Sequence, residues 1–203
     1  MSKIKTVFFA TPDIALKSLE YLYNSQYIEI LAVVTQPDKL AGRGNKIQAS
    51  PIKQFALEKN IKFFQPKSIR KEIDIQNEIK NLEPDFFVTF AFGQILSLEV
   101  LDIPKYETIN LHASLLPKYR GANPIQRALI NGDKKTGICT MITDVGLDSG
   151  DVCLSKEIKL TEKYQTKYLS PKFSLIRLKN INKGLFIVSK PNNFFVLHPW
   201  FCF

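Results

Sequence analysis

The feature that most constrains the fold is the alternation of short apolar runs with helical segments, repeated roughly every 20 to 30 residues. Residues 4–9 are a largely apolar run of strand length, and residues 15–22 carry alanine and leucines at helical spacing. The same patterns predict strands at 28–35, 61–64, 85–91, 106–111, 136–143 and 151–158, and helices at 51–60, 68–82 and 121–131. Such alternation is typical of α/β proteins, and right-handed crossovers make their sheets doubly wound. We therefore expect a Rossmann-like, doubly wound, mostly parallel sheet with ligands at the carboxyl ends of its strands.

Two residue pairs mark predicted helix starts. Thr11 and Ser50 are suited to cap a helix, and each precedes a proline that fits the first helical position. Between these pairs, residues 36–46 are polar and contain two glycines, which predicts a long loop.

Composition narrows the class of protein. The 203 residues are 45% hydrophobic and 23% charged, as in a soluble globular domain. The sequence has no apolar run of about 18 residues, and its start does not resemble a secretory signal. Its three cysteines have neither a disulfide framework nor metal-ligand spacing. These features predict a cytoplasmic protein without membrane association and without a metal site.

The net charge of +9 is unevenly distributed. Residues 163–203 hold seven Lys or Arg and no acid, and residues 168–203 show neither helical period nor clean strand alternation. A basic segment can indicate a phosphate-rich partner. A segment whose local pattern breaks with the rest of the chain can also be foreign to the fold.

Asn110 and His112 are candidates for chemistry because they lie two residues apart at the end of a predicted strand. This spacing puts both side chains on one face, at the edge where α/β proteins bind ligands. An amide beside an imidazole can hold a carbonyl and stabilise the oxyanion that develops on it, and the imidazole can move a proton. The alternative is that the pair only caps a turn.

Asp144 and Asp148 flank Gly146 in a segment that predicts a tight loop presenting a carboxylate. A carboxylate near His112 could keep the imidazole protonated or act as a base toward an amine. The alternative is an acidic surface turn. No serine elbow or cysteine nucleophile accompanies these residues in the sequence, which argues against covalent catalysis.

A third candidate site is the basic loop, where Lys39, Arg43 and Lys46 could contact a phosphate backbone. The alternative is a solvated loop. Neither GxxxxGK[ST] nor GxGxxG is present in the sequence, so a P-loop NTPase and a dinucleotide-binding protein are not expected.

Taken in order, the motifs at 34–53, 109–126 and 144–151 resemble the N-terminal domain of methionyl-tRNA formyltransferases, over roughly residues 3–162. The resemblance implies the formyltransferase fold and 10-formyltetrahydrofolate as the formyl donor. It implies the methionine amino group of initiator tRNA as the acceptor, in translation initiation.

The resemblance also assigns roles to residues. Asn110, His112 and Asp148 match the catalytic trio: the amine attacks the formyl carbon directly, Asn110 and His112 stabilise the oxyanion, and Asp148 orders His112 and water. The implied nucleic-acid-binding residues are Lys39, Arg43 and Lys46. The implied folate-binding residues are Phe90, Phe92, Gly93, Gln94, Ile95, Leu96, Ser114, Leu115, Leu116, Pro117 and Asp144.

The sequence departs from the family pattern in small and large ways. Ala10, Phe92 and Asn123 stand where the family usually has Gly, Tyr and Ala, and no family-like sequence is recognisable after about residue 161. We expect a catalytic domain at 1–162, truncated near its C-terminal end, and a basic tail at 163–203 that is read out of frame. The alternative is a lineage-specific tail that binds nucleic acid. Without the family's C-terminal domain, a monomer with weakened binding of initiator tRNA is expected.

Two other functions stay open. One is another folate-dependent formyltransferase, acting on glycinamide ribonucleotide or an amino sugar, although the phosphate loop of the former is absent after the first strand. The other is an inactive remnant. Loss of the last helix of the family's sheet domain would expose apolar surface and lower the stability of the fold.

Overall fold

The computed structural model describes residues 2–41 and 46–160, which contain nine strands and five α-helices. The strands are β1 (Ile4–Ala10), β2 (Ile28–Val34), β3 (Lys39–Ala41), β4 (Lys46–Gln48), β5 (Lys62–Phe64), β6 (Phe86–Phe90), β7 (Glu107–His112), β8 (Lys135–Ile142) and β9 (Val152–Lys159). The helices are α1 (Leu16–Tyr23), α2 (Pro51–Glu58), α3 (Ile73–Lys80), α4 (Leu98–Leu101) and α5 (Pro124–Ile130), with a 3₁₀ turn, Asp13–Ala15, before α1. The described chain divides into two compact units, the first ending at Thr108 and the second beginning at Ile109.

In the first unit, four parallel strands pair in the order β5-β2-β1-β6. Phe8 of β1 lies between Val33 of β2 and Val88 of β6. All of β6 and the last five residues of β1 are buried, as expected for strands covered on both faces. The chain runs from β1 outward to β2 and β5 and then returns to β6 on the other side of β1. The carboxyl ends of β1 and β6 therefore form a topological switch point, where α/β sheets bind ligands.

Aromatic rings of the first unit pack at this switch point. The ring centroid of Phe9 is 4.7 Å from that of Phe87 and 5.4 Å from that of Phe92, the latter pair edge to face. All three side chains belong to one buried cluster. The segment that follows β6 is thus anchored to the sheet by a core aromatic residue.

In the second unit, β7, β8 and β9 are antiparallel neighbours. Ile109 lies opposite Ile142, and His112 lies opposite Cys139. The predicted α/β fold is confirmed, and the antiparallel pairing of β8 with β7 and with β9 is the part that periodicity did not indicate. No helix in the described part of the chain is long and apolar enough to cross a membrane.

Local signals were correct at one helix start and wrong at the other. Ser50 caps α2, because its Oγ accepts a hydrogen bond from the Lys53 amide at 3.1 Å. At the first helix, Pro12 and not Thr11 is the N-cap of the 3₁₀ turn. The Thr11 hydroxyl instead donates to the carbonyl oxygen of Phe92 at 3.0 Å.

Other predicted boundaries also shift. The predicted loop 36–46 includes β3, which pairs with β4 in an antiparallel hairpin. The predicted helix 68–82 is shorter, since α3 starts only at Ile73; before it, the Glu72 carboxylate accepts from the Ser68 amide at 2.9 Å in a turn. The four-residue α4 was not predicted. The expected tail at 163–203 and the boundary at 162 lie outside the described residues.

Candidate active site

Asn110 and His112 lie on the same face of β7, as their spacing predicted, and both reach one carboxylate. Asn110 Nδ2 donates to Asp148 Oδ1 at 3.1 Å, and His112 Nδ1 lies 3.3 Å from Asp148 Oδ2. The side chains of His112 and Asp148 are only 7% and 14% exposed. The structure therefore brings the three residues together in a largely desolvated place, where electrostatic interactions are stronger than in water.

Asp148 is held by its backbone as well as by its neighbours. Its Oδ2 also accepts a hydrogen bond from the Gly121 amide at 2.8 Å. Its φ of 47° is in the left-handed region, which Asp adopts more readily than most residues with a side chain. A carboxylate with three such neighbours is fixed in orientation.

His112 has an acceptor at each ring nitrogen. Nδ1 faces Asp148, and Nε2 is 2.8 Å from the carbonyl oxygen of Tyr119. Contacts at both ring nitrogens therefore fix the orientation of the imidazole next to Asn110.

The segment after β7 folds into a tight turn under the histidine. The hydroxyl of Ser114 is fully buried and donates to the carbonyl oxygen of Lys118, so it holds the turn. Leu115 packs over Gly137 of β8, where a Cβ would come within 2.4 Å of the leucine side chain. Leu116 is half-buried and Pro117 is exposed. Of these four predicted folate-binding residues, Pro117 has the most accessible side chain.

The observed hydrogen bonds of Asp144 lie within its own loop. Its exposed Oδ1 accepts from the Gly146 amide at 3.1 Å and from the Ser149 hydroxyl at 2.8 Å. These bonds close the loop that carries Asp148. Folate binding by Asp144 stays a prediction, and its observed contacts organise the loop.

In the first unit, the predicted folate loop 90–96 follows β6 at the switch point. The carbonyl oxygen of Phe92 accepts from Thr11 Oγ1 and from Gln36 Nε2, each at 3.0 Å. Gln94 holds the other side, because its Oε1 accepts from the Ile69 amide and its Nε2 donates to Pro66. The side chains of Thr11, Gln36 and Gln94 thus fix the loop, and of these only Gln94 was predicted to bind folate.

The side chains of the loop divide into two groups. Phe90, Phe92 and Leu96 are buried in the core, whereas Ile95 is 62% exposed. Gly93 is exposed and has a φ of 81°. The core residues can therefore offer a ligand mainly their backbone groups.

The three basic residues predicted to bind nucleic acid are only partly described. Lys39 Nζ donates to Gln36 Oε1 at 2.7 Å, Arg43 lies outside the described residues, and Lys46 is placed in β4 only by its backbone. Nearby, Lys53 Nζ is 2.6 Å from Asp38 Oδ2. The hydrogen bonds from Lys53 and Gln65 hold the pKa of Asp38 below its ordinary value. Within 2–41 and 46–160, no group of three or more His, Cys, Asp or Glu is arranged to hold a metal.

Comparison with known proteins identifies the family. A model of the formyl transferase family matches residues 4–177. The chain belongs to this family. The match includes Asn110, His112 and Asp148, and it extends past residue 162, so the boundary predicted there stays a prediction.

Relatives in the family are close in sequence. The chain is 54% identical over 159 residues to the methionyl-tRNA formyltransferase of Clostridium perfringens (strain SM101 / Type A), covering 78% of the chain and 51% of that relative. It is 48% identical over 185 residues to the methionyl-tRNA formyltransferase of Francisella tularensis subsp. mediasiatica, covering 91% of the chain and 59% of that relative. The chain thus spans about half the length of the relatives it matches.

Solved structures support the fold. The phosphoribosylglycinamide formyltransferase of Bacillus halodurans superposes with a TM-score of 0.74, covering 89% of this chain and 93% of that one. At 17% identity this likeness concerns the fold alone. The formyltransferase fold predicted from the sequence is therefore confirmed.

Proposed function

We propose that the chain transfers a formyl group from 10-formyltetrahydrofolate to the amino group of methionine on initiator tRNA. The observation that carries the proposal is the convergence of Asn110 and His112 on Asp148. It occurs in a chain of the formyl transferase family, and the relatives named above are methionyl-tRNA formyltransferases. The proposal includes a role in translation initiation and a cytoplasmic, monomeric protein.

The reaction is a direct attack by an amine. The methionine nitrogen adds to the formyl carbon, and negative charge develops on the formyl oxygen. Asn110 and His112 stabilise that charge, and preorganised groups of this kind typically lower the barrier by several kcal/mol, about 3 to 4 for one donor. The bond from the formyl carbon to N10 of the folate then breaks, and N10 takes up a proton.

Asp148 directs the proton transfers. Its carboxylate holds His112 at Nδ1 and Asn110 at Nδ2, so the two donors keep a fixed orientation while charge develops. The attacking amine loses a proton during the reaction, and we propose that water ordered by Asp148 accepts it. No covalent enzyme intermediate is needed.

The folate-binding assignment rests on the loop after β6. We propose that backbone groups of the loop 90–96 bind the pterin, with Ile95 as the exposed apolar contact. Residues 114–117 and Asp144 complete the folate set. A switch-point position and a loop fixed by buried side chains favour a preformed ligand site.

The acceptor assignment rests on basic residues. We propose that Lys39, Arg43 and Lys46 contact the acceptor stem of the tRNA. Their contacts would go to phosphates and would position the substrate without reading its sequence. Binding should therefore weaken strongly as the salt concentration rises.

The test is transfer of labelled formyl by the purified chain to three acceptors: methionyl-initiator tRNA, glycinamide ribonucleotide and an amino-sugar nucleotide. His112→Ala removes the imidazole, and His198→Ala makes the same change at the chain's other histidine. We expect transfer to the tRNA that only His112→Ala abolishes. Transfer to another acceptor would change the substrate, and absence of transfer from folded protein would refute the proposed activity.

A further inference from the structure

A second set of contacts fixes His112 on the side away from Asp148. The carbonyl oxygen of Tyr119 is 2.8 Å from His112 Nε2, so the backbone at residue 119 sets the orientation of the ring. Tyr119 has a φ of 59°. Residues other than Gly, Asn and Asp seldom adopt this conformation, and they keep it only where the surroundings hold them in it.

The side chain of Tyr119 supplies that restraint. Its hydroxyl donates to Asp133 Oδ2 at 2.7 Å and accepts from Asn131 Nδ2 at 3.0 Å. Both partners lie in the turn that connects α5 to β8, and the Asp133 amide donates to the carbonyl oxygen of Ala128. The phenol is therefore held by two residues of this turn, and the turn is hydrogen-bonded to α5.

The contacts of Tyr119 connect His112 of β7 to the neighbouring strand β8. From His112 the contacts run through the Tyr119 carbonyl, the phenol and Asp133 to the start of β8. β8 pairs with β7, and its Cys139 lies opposite His112. These contacts begin and end in the same pair of strands, β7 and β8. If the phenol loses its bond to Asp133, the backbone at residue 119 is no longer restrained, and its carbonyl oxygen is free to move away from His112 Nε2.

We propose that Tyr119 and Asp133 are positioning residues for His112. The bond from the phenol to the carboxylate holds the left-handed backbone at residue 119. That backbone holds the imidazole with Nε2 on the carbonyl and Nδ1 toward Asp148. The kinetic part of this inference rests on the proposed function, whereas the orientation of the ring does not.

The exposed lysine beside this pair does not take the same role. Lys118 Nζ is 3.5 Å from the Asp133 carboxylate, and its side chain is 67% exposed against 16% for Asp133. Exposed ion pairs of this kind contribute little. Lys118→Met is therefore a control that removes the charge near Asp133 and the contact of Lys118 Nζ with the Tyr119 ring, 5.8 Å from its centroid, and leaves the phenol bond in place.

The kinetic experiment uses the full chain and Tyr119→Phe, with Tyr27→Phe, a 40% exposed tyrosine of the other unit, as the matched control. A misplaced catalytic group can cost about a hundredfold in rate. We expect kcat for formyl transfer to fall about 10- to 100-fold in Tyr119→Phe, with KM for both substrates within about twofold of the wild type. Tyr27→Phe and Lys118→Met should keep the wild-type kcat.

A spectroscopic readout tests the orientation without the reaction. The chain has two histidines, so ring ¹⁵N–¹H spectra contain few signals, and His112→Ala assigns them. Tyr119→Phe should shift the Nε2 signal of His112 and leave that of His198 unchanged. Asp133→Ala should give the same shift, and Asp133→Asn, whose amide oxygen can still accept from the phenol, should give a smaller one.

The outcomes separate the two proposals. If wild-type protein transfers no formyl group, the proposed function fails, and the ring signals still decide the positioning role. If Tyr119→Phe lowers the melting temperature but leaves the His112 signals and kcat unchanged, Tyr119 is only structural and the inference is overturned. If Tyr119→Phe does not fold, the graded effect of Asp133→Asn and Asp133→Ala on Nε2 decides: no graded shift refutes the inference.

Discussion

Replacement of Asp148 by Asn tests the central interaction of the candidate site. The carboxylate accepts hydrogen bonds from Asn110 Nδ2, His112 Nδ1 and the Gly121 amide, at 3.1, 3.3 and 2.8 Å. Asn has the same shape and tolerates the φ of 47° at this position. The substitution therefore changes the charge and one acceptor while the loop keeps its path.

The expected magnitude follows from these contacts. An asparagine offers one acceptor oxygen in place of two, so it cannot accept from all three donors in their present positions. If the oxygen stays on the Gly121 amide, the new NH₂ group faces the Asn110 amide, which must turn over. The charged partner of His112 is also lost. Groups that act in proton transfer contribute about 10²- to 10⁴-fold, so we expect a loss of about 3 to 5 kcal/mol in transition-state stabilisation.

The assay is formyl transfer at saturating folate, with Asp151→Asn as the matched control. Asp151 is an exposed aspartate at the end of the same loop. We expect kcat to fall at least about a hundredfold in Asp148→Asn and to remain at the wild-type level in Asp151→Asn. Binding of folate should change little, because the substitution removes an interaction that matters as charge develops. A kcat within about threefold of the wild type in folded Asp148→Asn would refute the role that we assign to this carboxylate.

Three further predictions concern other parts of the chain. Gly93→Ala places a Cβ 2.3 Å from Gln36 Nε2, at a residue whose φ is 81°. We expect it to lower the free energy of unfolding in urea by about 1 to 2 kcal/mol and to weaken folate binding. An unchanged unfolding midpoint would show that Gln36 moves without cost. Because Lys53 holds the pKa of Asp38 down, the stability from this pair is present above the unfolded pKa, about 4, and is lost as the pH falls through the folded pKa. Lys53→Met should raise the pKa of Asp38 in an NMR carboxyl titration, and an unmoved titration would contradict this pairing. Burial raises the pKa of the Cys139 thiol. We therefore expect this cysteine to resist alkylation by iodoacetamide in the folded chain and to react after unfolding. Rapid labelling of Cys139 in the native protein, mapped by mass spectrometry, would contradict this prediction.

Much of the fold was predictable because the buried parallel strands are largely apolar runs. β1, β2 and β6 are of this kind, and their predicted bounds differ from the observed ones by one residue at each shifted end. The cap at Ser50 was predictable because a hydroxyl directly before a proline has few better local partners. At Thr11 a tertiary partner, the carbonyl of Phe92, took the hydroxyl instead.

The direction of β8 was not predictable from pattern. A parallel pair requires a crossover of a dozen or more residues, and residues 113–134 are long enough for one. Burial along β8 also gives a continuous run, as in a parallel strand, since all but its first and last residues are buried. Only the observed register, with Ile109 opposite Ile142, shows that β7 and β8 are antiparallel.

The candidate site was predictable in its residues and not in its supports. The spacing of Asn110 and His112 placed them on one face, and glycine-flanked acids indicated a carboxylate loop. Tyr119 gave no such signal, because a left-handed tyrosine held by a distant carboxylate leaves no periodic trace in the sequence. Asn123 is a milder case: at its φ of 58° asparagine is favoured over the alanine usual in the family, which became clear only from the backbone.

Asp148 shows why chemistry and loop geometry coincide at this site. The loop has glycines at 146 and 150, yet a left-handed backbone is found at Asp148 itself. Aspartate is one of the few residues with a side chain that adopts this conformation at low cost. The same residue can therefore turn the chain and direct its carboxylate onto Asn110, His112 and the Gly121 amide. An alanine there would lose both properties, an asparagine only the charge and one acceptor, and a glycine only the side chain. A difference in activity between these variants that does not follow their difference in stability is then the signature of the carboxylate and not of the turn.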